Sequence, residues 1–296
     1  MLASTTNILK LLRPRQWTKN LLLFAGLIFS QHFTEPPRIL KAALGFVVFC
    51  LLSSIVYVVN DLKDSESDRL HPLKSLRPIA SGAVSKSRAR MVAVGLCIPA
   101  LLIIFMFFGI RFQVLSLAYL VMMLLYSIWL KHVVILDLMI VSLGFVLRAA
   151  GGIFAIEYPG ESIMITPWFI TCIMFLALFV VICKRRHEIV LLSDEAKSHR
   201  PVLEHYSPLF LDQMINVATT ATVISYALYV TLPAVSGRSG QMVITLPFVL
   251  YGIFRYLYLV YKKDEGGSPE ILLFQDFSLL AVVVMWLIAV VLILYI

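Results

Sequence analysis

The 296-residue chain is poor in charge. Only 14% of its residues are Asp, Glu, Lys or Arg, against about 25% in soluble globular domains, which excludes a soluble fold as the main architecture. Cysteine is scarce as well. Cys50, Cys97, Cys172 and Cys183 lie within or at the end of apolar runs, with no Cys-x-x-Cys pair and no His/Cys metal spacing. They read as buried small hydrophobes. His71 and His132 have no third ligand nearby in sequence, which argues against zinc. No small-residue cleavage site closes the first apolar run, so the basic N-terminus is expected to lead into a retained helix. Strict apolar/polar alternation is missing too, which excludes an outer-membrane barrel. Linkers, low-complexity tracts and a separate soluble domain are absent from the sequence.

What is abundant is apolar: 60% of positions, with a mean hydropathy of +0.91. Runs long enough to cross a bilayer fall at 17–34, 40–60, 90–109, 111–130, 133–153, 167–184, 213–233, 243–261 and 276–296. The expected fold is an all-α integral membrane protein with one transmembrane domain over 1–296. It would be a bundle of nine transmembrane helices around a central cavity open to the cytoplasm and the lipid.

The excess of bases, net +8, raises nucleic acid as a partner, but its distribution argues for membrane topology instead. With the N-terminus inside, only Arg38, Lys41, Arg111 and Arg238 fall on outer segments, and Arg148 and Arg255 lie within spans. Every other Lys and Arg falls on an inner segment, as the positive-inside rule requires. The expectation is a multi-pass protein of the inner (plasma) membrane, N-terminus and charged loops cytoplasmic, C-terminus outside, with no nucleic-acid partner. Lipid-facing and helix-facing apolar surfaces read alike, so a homo-oligomer stays open beside a monomer.

The densest chemistry lies in 57–82, Tyr-Val-Val-Asn-Asp-Leu-Lys-Asp-Ser-Glu-Ser-Asp and then Arg-Leu-His-Pro-Leu-Lys-Ser-Leu-Arg-Pro-Ile-Ala-Ser-Gly. Continued as a helix, it places Asn60, Asp64, Asp68 and Asp61 at roughly 0°, 40°, 80° and 100°. Four oxygen-bearing side chains then share one face, while Lys63 and Glu66 point elsewhere. A ladder of carboxylates repels itself unless a cation sits beside it, and oxygen-only ligands suit Mg²⁺ shared with phosphates. Asn60, Asp61, Asp64 and Asp68 are therefore the candidate metal and catalytic residues.

The pattern Asn60-Asp61-x-x-Asp64-x-x-x-Asp68 resembles the first signature of the UbiA superfamily of intramembrane prenyltransferases. Further blocks resemble its decaprenyl-phosphate phosphoribosyltransferase branch. They are Leu12-Arg-Pro-Arg-Gln-Trp-Thr-Lys-Asn20, His71-Pro-Leu-Lys74 with Arg77-Pro-Ile-Ala80, Tyr126-Ser-x-x-Leu-Lys131-His, Leu147-Arg148-Ala-x-Gly-Gly152, Lys184-Arg185 and Gly267-Ser-Pro-Glu270. The resemblance implies a UbiA-like transmembrane domain and transfer of phosphoribosyl from 5-phosphoribosyl 1-diphosphate to a polyprenyl phosphate, releasing diphosphate. It further implies that the product is a cell-wall precursor. The loop after run six has Cys183-Lys-Arg-Arg-His-Glu188 where ordinary prenyltransferases resemble one another in a second acidic motif. Replacing acids by bases weakens the case for a prenyl diphosphate donor.

Bases are needed around two phosphorylated substrates, and Lys19, Lys74, Arg77, Lys131, Lys184 and Arg185 are candidates. Tyr57 and Tyr126 are either donor ligands or interfacial aromatics. Asp137 could orient Lys131 or meet the ribose hydroxyls. Arg148 stands inside a span, where an ionisable residue marks a cavity or a pair; a substrate role and a packing role are both open. Two other readings remain: a prenyltransferase acting on an aromatic acceptor, and a transporter or lipid-binding protein. The latter has no need of a one-face acidic ladder.

Overall fold

The structure is a computed structural model that describes residues 2–70, 74–192, 201–232, 239–263 and 266–296. Every regular element among the described residues is helical. Two compact units divide the chain, Met1–Ile140 with Leu147–Ile163, and Val141–Val146 with Met164–Ile296.

The first unit contains α1 (Leu2–Leu12), a 3₁₀ helix (Pro14–Leu22), α2 (Leu23–Phe29) and α3 (Pro36–Lys63). Next come α4 (Ser65–Leu70), α5 (Lys86–Phe107), α6 (Ile110–Ile128) and α7 (Leu136–Ile156). Residues 141–146 of α7 group with the second unit. Helix α3 is the hub, packing on α1, α2, α5 and α6. Pro36 and Pro37 start it where their missing N–H groups cost nothing, and Ala42, Val48, Phe49, Leu52, Ile55 and Val58 are buried along its length. Helix α5 does the reverse: Met91, Val94, Ile98, Leu102 and Phe105 are exposed at helical spacing, the stripe that lipid contact requires. Under the C-terminal end of α3, Leu11, Val58, Ile79, Val84, Ala89 and Ala93 form one apolar cluster. This cluster ties the end of α1 and the 79–84 turn to the charged stretch.

Lipid tails give helices no hydrophobic reason to associate, so close packing of small residues has to hold them. Helix α2 meets α7 in that way. A Cβ added to Gly152 would fall 1.9 Å from the Leu23 carbonyl oxygen, and one on Gly26 would fall 2.6 Å from the Ile153 nitrogen. At the other end of α3, Arg38 donates to both carboxyl oxygens of Glu161 at 3.0 and 3.1 Å and to Glu35 at 2.7 Å. These bonds hold the Glu161 carboxyl below its ordinary range and fasten the 157–163 loop to the start of α3.

The second unit contains α8 (Pro167–Leu192), α9 (Pro208–Thr231), α10 (Leu246–Lys262), α11 (Pro269–Gln275) and α12 (Phe277–Tyr295). Helix α8 packs on α9, and α10 on α12. Ser207 caps α9 by accepting from the Phe210 N–H at 3.1 Å. Asp276 caps α12 by accepting from the Leu279 N–H at 2.8 Å and also pairs with Arg255 at 2.7 Å.

Eight helices among the described residues are long and apolar enough to cross a membrane: 36–63, 86–107, 110–128, 136–156, 167–191, 208–231, 240–262 and 277–295. Eight of the nine expected runs thus correspond to long helices. The first, 17–34, does not. It is built from the 3₁₀ helix Pro14–Leu22 and the seven-residue α2, because Pro14 and the polar Gln16, Thr18, Lys19 and Asn20 interrupt the apolar pattern a long α-helix would need.

Candidate active site

The charged stretch is built by the end of α3. Tyr57, Asn60 and Asp61 ride on its last two turns, and the helix stops at Lys63. Asp64 follows with φ −89° and ψ 3°, and α4 begins at Ser65. The expectation of one helix running through Asp68 is therefore corrected: the ladder bends at Asp64. Two backbone bonds bridge the bend, Asp64 N–H to the Asn60 carbonyl at 2.9 Å and Asp68 N–H to the Asp64 carbonyl at 2.8 Å. Asp68 consequently stays about one turn from Asp64 instead of swinging away.

Around this bend the four oxygen-bearing side chains divide into two pairs, each sharing a base. Lys131 donates to Asp64 at 2.5 Å and to Asn60 at 3.4 Å. Arg77 donates to Asp68 at 2.6 Å and to Asp61 at 3.2 Å. Asp61 also receives Arg13 at 2.5 Å. Asp61, Asp68 and Lys131 are only 1%, 4% and 5% exposed, so these pairs are largely cut off from water. Charges in that position must be matched. The other carboxyl oxygen of Asp61, Oδ2, is buried and has no hydrogen-bond partner among the described residues.

Local structure explains how each base arrives. Lys131 sits in a 3₁₀ turn, Leu130–His132, between α6 and α7. The turn is followed by Ile135 with φ +70°, a left-handed conformation uncommon for a β-branched residue and typical of over-determined functional loops. Arg77 follows the 3₁₀ turn Lys74–Leu76, and Arg69 Nε donates to the Ala80 carbonyl at 3.2 Å, closing that loop onto α4. Gly82, at φ +78°, makes the turn toward α5.

Arg13 is the site residue that sequence reasoning missed. It takes φ +54°, ψ +59° immediately before Pro14, a position where the right-handed helical region is disfavoured. That kink ends α1 and aims the guanidinium at Asp61, over the Tyr57 ring at 5.2 Å. The signal available was the Arg13-Pro14 step within a block already singled out.

The remaining candidates are placed as follows. Tyr57 lies beneath Arg13. Lys19, Lys74 and Tyr126 are half-buried in the first unit. Asp137 is fully buried in the first turn of α7, six residues beyond Lys131. Arg148 donates to Asn20 Oδ1 at 2.7 Å and to the Tyr119 hydroxyl at 2.6 Å, and Asn20 in turn donates to Cys50 and Ser53. Arg148 thus fastens the N-terminal 3₁₀ helix to α3 and α6. Lys184 and Arg185 belong to the second unit, where Arg185 pairs with Glu188 at 2.6 Å and neighbouring Arg186 with Asp212 at 2.5 Å. His71 lies outside the described residues, as do Asp194 and Glu195, the acids that follow the Cys183-to-Glu188 stretch in sequence.

Long apolar helices carrying a buried acid–base cluster at one helix end define the class: a polytopic, all-helical membrane protein with a polar site at the end of the hub helix of its first unit. Residues 21–277 match the family described as UbiA prenyltransferase, and the chain belongs to that family. It is 34% identical to the decaprenyl-phosphate phosphoribosyltransferase of Corynebacterium glutamicum, over 98% of this chain and 87% of that protein. Identity to the protein of that name from Mycolicibacterium smegmatis is 33%, over 95% and 90%. The fold also matches the structure of a UbiA homolog from Archaeoglobus fulgidus bound to GPP and Mg²⁺, with a TM-score of 0.72. That match covers 98% of this chain and 100% of the other at 19% identity, and so speaks to the fold alone.

Proposed function

We propose that this protein transfers the 5-phosphoribosyl group of 5-phosphoribosyl 1-diphosphate to a polyprenyl phosphate of decaprenyl type, releasing diphosphate. The observation that carries this reading is similarity running through nearly the whole length of proteins named for that reaction, rather than through one motif. The family match extends over both units, which supports treating them as one transmembrane domain.

Mg²⁺ is the cofactor of this proposal, and the donor set fits it in kind. Asn60, Asp61, Asp64 and Asp68 offer only oxygen, the hard ligand that Mg²⁺ prefers. Asp61 Oδ2 is a buried acceptor with no protein donor among the described residues. Bound by these residues, Mg²⁺ would neutralise charge developing on the leaving diphosphate. As they stand, no three His, Cys, Asp or Glu side chains among the described residues are gathered closely enough to hold a metal, and Asp61, Asp64 and Asp68 are each paired with a base.

The chain's own residues do the rest by position and charge. An acceptor phosphate is already ionised, so its attack on the anomeric carbon calls for no general base. Two mutually repelling anions must instead be held in line, and the departing one stabilised. Lys19, Lys74, Arg77 and Lys131 supply cations to that end in the first unit; in the second, Lys184 and Arg185 are further candidates for phosphate binding, considered by themselves. Tyr57, Tyr126 and Asp137 provide hydrogen-bonding groups for the donor. Arg148, held by Asn20 and Tyr119, acts here as the support of the N-terminal segment. The charge distribution supports a cytoplasmic position for this chemistry at the plasma membrane, where soluble sugar phosphates are found.

The test is direct. Purified protein given ribose-labelled 5-phosphoribosyl 1-diphosphate and a polyprenyl phosphate should yield labelled lipid, with all transfer lost on chelation of Mg²⁺. A labelled prenyl diphosphate offered with an aromatic acceptor should give no product. Folded, Mg²⁺-supplied protein that transfers no ribosyl label would sink the proposal, and prenyl transfer would install the alternative.

A further inference from the structure

Three acids of the site are matched by three bases among the described residues: Asp61 and Asp68 by Arg13 and Arg77, and Asp64 by Lys131. The formal charge of this set is zero. A bare divalent ion entering it would bring two positive charges into a largely buried cluster. It would also displace bases that then face no anion, which is costly out of water. A divalent ion arriving on a diphosphate is different, because the phosphates supply new anionic partners for the displaced bases. The geometry permits the exchange: the Arg13, Arg77 and Asp64 side chains are each about a quarter exposed, so the ion pairs open toward solvent on one side.

We infer that Arg77 and Lys131 are exchange cations, which together with Arg13 shut free divalent ions out of the acid ladder and admit the ion only as its complex with a diphosphate. The inference rests on the metal–diphosphate reading of the site. It makes Arg13 a positioning residue: it acts by holding Asp61, from a left-handed backbone braced on Tyr57. It also gives Lys131 and Arg77 two successive partners, a carboxylate before the donor binds and a phosphate afterwards.

Binding of Mn²⁺, read by electron paramagnetic resonance on the full chain in nanodiscs, tests this without turnover. Wild-type protein should bind MnCl₂ weakly alone and about tenfold or more tightly with 5-phosphoribosyl 1-diphosphate or inorganic diphosphate. A neighbouring opposite charge shifts a carboxylate's proton affinity by about one to three units, and removing it should act on a metal ion on a similar scale. Lys131→Met should therefore bind Mn²⁺ alone about tenfold or more tightly than wild type, while losing affinity for the Mn²⁺–diphosphate complex. Arg77→Gln should show the same opposed pair of changes, and it keeps the test open if Lys131→Met does not fold. Folded variants that bind free Mn²⁺ no better than wild type, with diphosphate-dependent binding retained in wild type, would overturn the exchange and leave the proposed function standing. Opposed changes seen with inorganic diphosphate but not with the ribosyl donor would support the exchange and count against the function. Wild-type protein that binds no Mn²⁺ even with diphosphate would overturn both.

Discussion

Replacing Asp64 with asparagine should lower the transferase rate on the order of 10²- to 10³-fold, the scale on which removal of one electrostatic group from a preorganised site acts. The fold should survive. Asp64 is the more accessible of the paired acids, with its side chain 26% exposed, and its partner Lys131 keeps Asn60 as an acceptor. An asparagine preserves shape and one oxygen, so the expected stability loss is about 2 kcal/mol. Asp61→Asn should behave differently. That side chain is 2% exposed and faces both Arg13 and Arg77, so losing its charge deprives Arg13 of its carboxylate and leaves Arg77 with Asp68 alone, at about 3 kcal/mol or more. Thermal unfolding in detergent beside initial rates at saturating donor separates the two. Full activity in Asp64→Asn would remove it from the ladder's chemistry.

Gly152→Ala should be the most damaging single methyl in the first unit. The added carbon would lie 1.9 Å from the Leu23 carbonyl oxygen and 2.8 Å from the Leu23 Cα. These are backbone atoms that cannot rotate aside, so α2 itself has to move. Ordinary overpacking costs about 1–3 kcal/mol; a backbone-to-backbone collision should reach about 3 kcal/mol or more. Gly95 offers the control, since nothing lies within 4 Å of its Cβ position, and Gly95→Ala in the middle of α5 should be neutral or gain up to about 1 kcal/mol. Because α2 follows the 3₁₀ helix that carries Lys19 and Asn20, the Gly152 variant should also weaken donor binding. A melting temperature equal to that of wild type would show that the close contact between α2 and α7 is not required.

The acid ladder was legible in the sequence because local spacing records it, and two of its three bases were legible through the sequence blocks that hold them. Asn60, Asp61, Asp64 and Asp68 lie within nine positions, and Arg77 stands nine residues from Asp68. Lys131 was legible only through its block, since it lies 67 residues from Asp64. Arg13 shows where spacing stops helping. Its partner is 48 residues away, and their meeting depends on one left-handed residue before a proline and on the packing of α1 on α3. The bend at Asp64 was equally hidden, because the i to i+4 rhythm of Asn60, Asp64 and Asp68 survives it through the two bridging backbone bonds. Hydropathy located eight long helices well. At 17–34 it marked a run without foreseeing the 3₁₀ helix and short α-helix found there, because it averages over residues without asking whether polar Thr18, Lys19 and Asn20, just after Pro14, leave an α-helical face.

That same segment has a consequence for the chain's ends. Leu22 and Leu23 both keep right-handed helical angles, so the 3₁₀ helix passes into α2 without a break. A 3₁₀ helix rises about 2.0 Å per residue and an α-helix about 1.5 Å. The nine residues of one and seven of the other therefore reach about 28 Å, against a hydrocarbon core of about 30 Å. By length alone, sixteen residues reach nearly what normally takes about twenty, with the polar Arg15, Gln16, Thr18, Lys19 and Asn20 gathered in the first half. This short, tightly wound piece sets the parity of the whole chain. Added to the eight long helices among the described residues, it makes nine crossings and would put Ile296 across the membrane from the N-terminus; left out, it leaves eight and would return both ends to one side.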